Sequence, residues 1–155
     1  MTSEPTLGVA AWGALLKVHA AVAPLIDGQL RRGGGMPLSW YDVLLEINAA
    51  PDRQLTMSEV AARATLSRTR ISRVVDELVA AGLVERRSHP TDKRSAYAAI
   101  TRSGRDQLRK AAPIYLASIE RAFSSHLSPA EATTIADALW RVHTATLEES
   151  RNVVI

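Results

Sequence analysis

Apolar residues recur every three or four positions along both ends of the chain, a spacing that predicts α-helices there. The first predicted helix runs from about Thr6 to Gln29 and carries apolar residues on two faces, so one partner helix could not cover it. The arginine- and glycine-rich stretch 31–37 then predicts a flexible connector. Near the other end, a long helix is predicted after Thr101 and a last helix after Ser128.

Between these ends the periodicity breaks into shorter elements. Two of them begin with capping-box sequences, in which a hydroxyl and a carboxylate three residues apart satisfy backbone amides at a helix start. Ser39 with Asp42 predicts the start of a second helix, and Thr56 with Glu59 predicts the start of a short third helix. The middle of the chain is therefore predicted to contain a group of short helices.

A fourth helix is predicted after Ser67, whose hydroxyl can cap it by accepting a hydrogen bond from the backbone N–H of Thr69 or Arg70. Its apolar stripe consists of Ile71, Val74, Val75 and Leu78. Its other side crowds arginines and hydroxyls into the first two turns, which suits the DNA major groove, where arginine reads guanine. The candidate DNA-contacting residues of this helix are Ser67, Arg68, Thr69, Arg70, Ser72 and Arg73. The alternative is an ordinary surface helix whose arginines are only solvated.

A basic hairpin is predicted after this helix, which Gly82 ends because glycine readily takes the left-handed conformation of a helix C-terminus. Strands are predicted over 83–88 and 95–100, joined by a polar tip. Asp92 is predicted to hold Arg94, two residues on, so that its guanidinium is presented in a fixed pose. A single arginine at a hairpin tip suits a narrow minor groove. The candidate DNA-contacting residues of the hairpin are Arg86, Arg87, Asp92, Lys93 and Arg94. The two strand arginines are expected to meet phosphates.

Together these elements predict a mainly α fold with a small β wing, built from about six helices and a two- to three-stranded antiparallel sheet. The length of 155 residues favours one domain. Within it, a winged helix-turn-helix lobe is predicted at 37–101, flanked by helical segments at 6–32 and 102–150. The flanking helices show more apolar surface than one small core would use, so we expect them to pack against another subunit.

The distribution of charge supports a nucleic-acid partner. The whole chain carries a net charge of +3, but residues 63–110 hold 12 of its 19 basic residues and only 5 of its 16 acidic residues. This window therefore has a net charge of +7, and the remainder, with 7 basic and 11 acidic residues, has −4. A basic segment on an otherwise acidic protein is the electrostatic footprint expected for double-stranded DNA, with an anionic membrane surface as second choice.

Composition and motifs also exclude several kinds of chemistry. The chain has no cysteine, which excludes disulfides and thiol redox sensing and is compatible with a reducing cytoplasm. Metal-binding, nucleotide-binding and nucleophile motifs are absent from the sequence, so we expect no enzyme activity, no metal and no cofactor. Residues 7–26 are nearly free of charge, but Lys17 and Pro24 interrupt them. We therefore expect a buried helix in a cytoplasmic protein, without a signal peptide or membrane partner.

Short motifs follow one another in a fixed order between Leu55 and Gly104. They are LTMSEVA from Leu55, LSR from Leu66, VVDEL from Val74, AGLV from Ala81, DKR from Asp92 and ITRSG from Ile100. In this order and spacing the stretch resembles the MarR family of bacterial winged-helix transcriptional regulators. The helices on either side of the stretch have the lengths that this resemblance leads us to expect.

The resemblance implies a homodimer whose first, fifth and sixth helices interlock and hold two lobes about 34 Å apart on a pseudo-palindromic operator. It places the fourth helix in the major groove and Arg94, steadied by Asp92, in the minor groove. It further implies a repressor that a small aromatic or phenolic ligand releases from DNA. The candidate lining of such an effector pocket is Trp12, Leu16, His19, Trp40 and Tyr115. The alternative is a winged-helix protein-interaction module that has lost DNA binding.

Overall fold

The computed structural model describes residues 6–152, and these form six α-helices and a three-stranded sheet. The helices are α1 (Leu7–Gln29), α2 (Leu38–Ala49), α3 (Met57–Arg63), α4 (Arg68–Ala80), α5 (Arg102–Ala122) and α6 (Pro129–Asn152). The strands are β1 (Gln54–Thr56), β2 (Val84–Ser88) and β3 (Ala96–Ile100). One π-helical turn (Leu30–Gly34) and two 3-10 turns (Pro51–Arg53 and Ser124–His126) lie in the connections. The predicted mainly α fold with a small β wing is confirmed.

The hydrophobic core lies among α2, α3, α4 and the sheet. β3 is the central strand and pairs antiparallel with β1 on one side and β2 on the other. The largest fully buried side chains are Leu30, Val43, Leu44, Ile47, Leu55, Val60, Ile71, Val75, Leu78 and Val84. The predicted apolar stripe of α4 is confirmed, because all four of its residues are buried. Burial of this stripe fixes which side of α4 faces outwards.

Gly82 ends α4 as predicted. Its φ of 72° is left-handed, which costs glycine little because it has no Cβ. The N–H of Gly82 donates to the carbonyl of Val79 at 3.0 Å, and the N–H of Leu83 donates to the carbonyl of Leu78 at 2.9 Å. These two bonds form the Schellman arrangement that satisfies the last carbonyls of a helix. The chain is thereby turned directly from α4 into β2.

The capping box of Thr56 and Glu59 at the start of α3 is confirmed. Oγ1 of Thr56 accepts a hydrogen bond from the N–H of Glu59 at 3.3 Å, and the Glu59 carboxylate accepts one from the N–H of Thr56 at 2.8 Å. The side-chain cap predicted for Ser67 at the start of α4 is wrong, because its hydroxyl makes no capping bond. Only the carbonyl of Ser67 serves α4, by accepting from the N–H of Ile71 at 2.9 Å.

The capping box predicted for Ser39 and Asp42 is also wrong. Helix α2 begins two residues before the predicted Trp40, at Leu38, whose N–H donates to Oδ1 of Asp27 in α1 at 2.8 Å. Asp42 instead accepts hydrogen bonds from the N–H and hydroxyl of Thr65, at 3.2 and 2.9 Å. Tertiary partners therefore replace the local cap at this helix start.

The glycine-rich stretch after α1 forms a helical turn and not the predicted flexible connector. Leu30–Gly34 is one π-helical turn that continues from α1. A Cβ at Gly33 would lie 2.9 Å from Cδ1 of Ile114, and one at Gly34 would lie 3.2 Å from Cβ of Ala111. Glycines in this turn therefore allow its backbone to approach α5 closely.

The chain divides into two compact units, one ending at Ser118 and the other beginning at Ile119. In the first unit α1 buries little, and Ile26 is its one buried residue. In the second unit the predicted capping box at the start of α6 is confirmed, with Ser128 Oγ accepting from the N–H of Glu131 at 3.3 Å. Residues 139–150 of α6 are all exposed.

The segment Leu7–Gly34 is long and apolar enough to cross a membrane by length and composition alone, and it is the one such segment among residues 6–152. This observation is weak, because a helix that packs against protein passes the same test. The prediction that α1 packs against protein therefore rests on its two apolar faces and not on this observation.

Candidate nucleic-acid interface

The outer side of α4 presents the polar residues that the sequence singled out. Ser67, Arg68, Thr69, Arg70, Ser72 and Arg73 are all exposed. Within residues 6–152, the guanidinium groups of Arg68, Arg70 and Arg73 have no hydrogen-bond or ion-pair partner. Three cations on the first two turns of α4 form a positive surface that an anionic partner can neutralise, although the charge of Arg70 also helps to lower the pKa of Asp27 on α1.

An open cleft of about 610 Å³ borders this side of α4. It is lined by Arg31, Pro37, Ser39, Trp40, Ser67, Thr69, Arg70, Arg73, Val74 and Glu77. Across its floor the indole N–H of Trp40 donates to Oε2 of Glu77 at 2.8 Å, which links α2 to α4. The sequence did not single out Arg31 or Glu77, because their place beside α4 depends on how the helices pack.

Asp27 fixes the α1 edge of the cleft. Burial opposes its ionisation, but hydrogen bonds from Arg31 and from the N–H of Leu38 outweigh that effect and lower its pKa. Nε of Arg31 lies 2.7 Å from Oδ2 of Asp27. This ion pair and the bond to Leu38 hold the end of α1 against the start of α2.

The two strand arginines of the hairpin lie in ion pairs within the protein. Nη2 of Arg86 lies 2.5 Å from Oδ1 of Asp76 on α4, and Nε of Arg87 lies 2.7 Å from Oε1 of Glu85. Both arginine side chains remain exposed, at 41% and 51%. The Arg86 pair ties β2 to α4 and so fixes the hairpin relative to the helix.

At the hairpin tip Asp92 holds backbone and not the arginine side chain. Its Oδ1 accepts a hydrogen bond from the N–H of Arg94 at 2.9 Å. The predicted hold of Asp92 on Arg94 is therefore confirmed at the backbone, and the guanidinium itself has no ion-pair partner within residues 6–152. Lys93 and Arg94 are both exposed, so the tip carries two free positive charges.

His89 also shapes the tip, and the sequence did not reveal its role. Its Nδ1 accepts hydrogen bonds from the N–H groups of Thr91 and Asp92, at 3.3 and 3.1 Å. Its ring stacks on Tyr97 of β3, with centroids 4.9 Å apart and an interplanar angle of 22°. The one local signal is the His-Pro step that opens the polar tip.

The five residues proposed for an effector pocket are distributed over three places. Trp12, Leu16 and His19 lie on the exposed surface of α1, with 60% of Trp12 accessible. Trp40 lines the cleft beside α4. Tyr115 stacks on Tyr41 with ring centroids 4.4 Å apart.

The two stacked tyrosines are partly buried phenols. Burial raises the pKa of both Tyr41 and Tyr115, and the nearby Asp42 carboxylate raises that of Tyr115 further. Both rings therefore stay neutral near pH 7.

No group of three or more acidic or histidine side chains within residues 6–152 is arranged to hold a metal ion.

The sequence is similar to one family model and to two described bacterial proteins. A model of the MarR family matches residues 34–95. The uncharacterised HTH-type transcriptional regulator YkoM of Bacillus subtilis (strain 168) is 39% identical over 75 residues, 48% of each chain. The HTH-type transcriptional repressor YetL of the same organism is 27% identical over 94 residues, 61% of this chain and 56% of YetL. The matches thus span about half the length of these relatives.

Solved structures resemble nearly the whole chain. Sco3205, a MarR family transcriptional regulator from Streptomyces coelicolor in complex with DNA, has a TM-score of 0.82 and 28% identity, covering 92% of this chain and 91% of that one. CouR from Rhodococcus jostii RHA1, bound to p-coumaroyl-CoA, has a TM-score of 0.75 and 25% identity, covering 90% and 95%. The similarity therefore includes α1, α5 and α6 as well as the central lobe.

Proposed function

We propose that this chain is a transcriptional regulator of the MarR type, which binds a pseudo-palindromic operator as a homodimer and represses transcription. The observation that carries this proposal is the outer side of α4, where three unpaired guanidinium groups stand among hydroxyls opposite a fully buried stripe. YkoM and YetL are described as HTH-type transcriptional regulators, and we propose that this chain, too, binds DNA in the cytoplasm and is not an enzyme.

Helix α4 has the form that direct reading of DNA requires. The major groove of B-DNA admits one α-helix, and arginine can bond the O6 and N7 atoms of guanine in bidentate fashion. Arg68, Arg70 and Arg73 supply the guanidinium groups, and Ser67, Thr69 and Ser72 supply hydroxyls that can bond bases or phosphates. These six residues are the proposed reading surface.

The hairpin and the cleft supply contacts with the DNA backbone and minor groove. The exposed guanidinium of Arg94 is proposed to enter the minor groove, whose negative potential attracts it. Lys93, Arg86 and Arg87 are proposed to face phosphates, although the charges of the last two are already partly neutralised by their ion pairs. Arg31 on the cleft edge is likewise paired, with Asp27.

A second copy of the chain is the proposed partner of the apolar flanking helices. Isolated monomers rarely expose large contiguous apolar patches. Exposed apolar side chains on α1 include Val9, Trp12, Leu15, Leu16 and Val18, and those on α6 include Leu139, Trp140, Val142 and Leu147. Burial of both sets in a homodimer would remove this surface from water and fix the spacing of two α4 helices.

Release by a small aromatic or phenolic ligand is part of the proposal. The similar protein CouR is described as bound to p-coumaroyl-CoA, and YetL is described as a repressor. Of the residues that the sequence offered for this pocket, Trp40 lines the open cleft beside α4, and we propose this cleft as the ligand site. A ligand in that cleft would lie against the reading surface and compete with DNA.

The test is a fluorescence-anisotropy titration onto duplexes tiling the DNA beside the gene, at several salt concentrations. We expect one duplex to bind far more tightly than a scrambled duplex, with affinity falling steeply as salt rises because counterions are released from phosphates. Arg73→Ala should weaken specific binding about tenfold or more, as expected for loss of a base contact. Arg109→Ala, which removes an exposed arginine from α5, is the matched control and should change little.

Equal affinity for every duplex, measured with folded protein, would reject sequence-specific regulation. That result would favour the alternative of a winged-helix protein-interaction module.

A further inference from the structure

Two side-chain acceptors, His89 and then Asp92 along the chain, hold the backbone of the hairpin tip, residues 89–95. Nδ1 of His89 accepts from the N–H groups of Thr91 and Asp92 at 3.3 and 3.1 Å. Oδ1 of Asp92 then accepts from the N–H of Arg94 at 2.9 Å, and the carbonyl of Asp92 accepts from the N–H of Ser95 at 3.1 Å. The backbone of Arg94 is thus linked through Asp92 to the imidazole of His89.

The imidazole is itself anchored to the middle of the sheet. It stacks on Tyr97, whose strand β3 is hydrogen-bonded on both sides. Tyr97 faces Thr56 of β1 and Arg87 of β2 in the register of the sheet. An otherwise exposed loop is thereby connected to the central strand of the sheet.

Two donors at Nδ1 fix the protonation state that this arrangement requires. A neutral imidazole has one acceptor nitrogen, whereas an imidazolium has none. The N–H groups of Thr91 and Asp92 therefore need a neutral ring with its proton on Nε2. In this arrangement Nδ1 of His89 is the acceptor for the two amides.

We propose that His89 is the positioning residue of the hairpin tip, which through its Nδ1 acceptor and its stack on Tyr97 sets the backbone of Arg94. The consequence for DNA recognition rests on the proposed function, because it assumes that Arg94 enters a minor groove. Aromatic packing alone would hold the ring on Tyr97 but would leave the two amides without an acceptor. The two contributions can therefore be separated by substitution.

The test uses two variants of the full-length chain. His89→Phe keeps an aromatic ring to stack on Tyr97 but removes the acceptor. His89→Asn removes the ring but keeps an acceptor oxygen, and asparagine commonly accepts from backbone amides two and three residues on. Both changes lie in an exposed loop, and equal circular dichroism and melting temperature would confirm that each variant is folded.

The first readout is independent of DNA. In ¹⁵N–¹H spectra of the free protein, we expect the amides of Thr91, Asp92 and Arg94 to shift and exchange faster in His89→Phe and to stay close to wild type in His89→Asn. Long-range ¹⁵N spectra of the wild type should show Nδ1 unprotonated. A protonated Nδ1, or unchanged amides in His89→Phe, would overturn the proposal.

The second readout is affinity for the specific duplex. We expect His89→Phe to weaken binding about fivefold to tenfold, close to the loss caused by Arg94→Ala, and His89→Asn to stay within about twofold of wild type. Equal losses in both variants would mean that the acceptor nitrogen of His89 does not position the tip.

If Arg94→Ala loses affinity and His89→Phe does not, the positioning role of His89 fails and DNA binding stands. If the wild type binds no duplex, the proposed function fails and the spectra alone decide the role of His89.

Discussion

Gly104 lies where the first turn of α5 meets the end of α4, and no other residue fits there. The hydroxyl of Thr101 makes the junction. It donates to the carbonyl of Gly82 at 2.8 Å, and its Oγ1 accepts from the N–H of Gly104 at 3.0 Å. A Cβ on Gly104 would lie 2.1 Å from the carbonyl oxygen of Leu83. The glycine of the closing ITRSG motif therefore reflects close approach of two backbones.

We predict that Gly104→Ala destabilises the fold by about 3 kcal/mol, because backbone must move to admit the methyl group. Gly8→Ala is the matched control, since Gly8 also lies in the first turn of a helix but has no atom within 4 Å of an added Cβ. Thermal or urea unfolding of both variants measures the difference. Similar stability of the two variants would contradict the close contact with Leu83.

Asp92 provides a second test at the scale of one residue. Its Oδ1 accepts from the N–H of Arg94, and an amide oxygen can do the same. We therefore predict that Asp92→Asn retains specific DNA affinity and that Asp92→Ala loses it by roughly fivefold. The fluorescence-anisotropy titration used for Arg94→Ala measures the affinity of both Asp92 variants for the specific duplex. Equal losses in both variants would mean that the charge of Asp92, and not its acceptor oxygen alone, holds Arg94.

At the scale of elements, the predictions that succeeded depend on local patterns. The capping box of Thr56 and Glu59, the buried stripe of α4 and the stop at Gly82 involve residues within a few positions of one another. The predictions that failed depend on distant partners. Asp27 supplies the acceptor for α2 from another helix, and Asp42 bonds a residue 23 positions away, which local spacing does not encode.

The capping box of α3 makes stability depend on pH in a defined direction. Hydrogen bonds from the N–H and then from the hydroxyl of Thr56 lower the pKa of Glu59 below its usual 4.5. A lowered pKa in the folded state contributes stability above the unfolded pKa, and this contribution is lost as pH falls through the folded pKa.

We predict that Glu59→Gln is less stable than wild type near pH 7 and that the gap closes as pH falls below about 4. Glu148→Gln, at an exposed position of α6, is the control. Urea unfolding at a series of pH values measures the gap. A gap of constant size from pH 7 to pH 3 would show that charge on Glu59 does not contribute.

At the scale of the whole molecule, the exposure of the basic side of α4 could be predicted from the sequence and the arrangement of the effector-pocket residues could not. Basic and hydroxyl side chains that face outwards are visible in the helical spacing of α4, because one buried stripe fixes the orientation of the rest. A pocket requires side chains from several helices to converge. Trp12 and Tyr115 show that aromatic residues on suitable helices need not do so.

The apolar surface of α1 predicts the oligomeric state. Leu16 is 49% exposed on α1, and we propose that a second copy covers it. Leu16→Glu should therefore convert a dimer of the 16.8 kDa chain to monomer, because a carboxylate is costly to bury without a partner. Leu45→Glu on α2, where the leucine is 38% exposed, should remain dimeric. Light scattering after gel filtration gives the masses, and a dimeric Leu16→Glu variant would exclude this face.

Hydroxyl-radical footprinting on the tightest-binding duplex tests the central claim most directly, because it reports both sequence specificity and the spacing of two lobes. A dimer with two α4 helices in successive major grooves should protect two half-sites on one face of the duplex, about one helical turn or 10 base pairs apart. Arg94→Ala should remove protection in the adjoining minor grooves and keep the two centres. A single protected half-site, or uniform weak protection along the duplex by folded protein, would contradict the account.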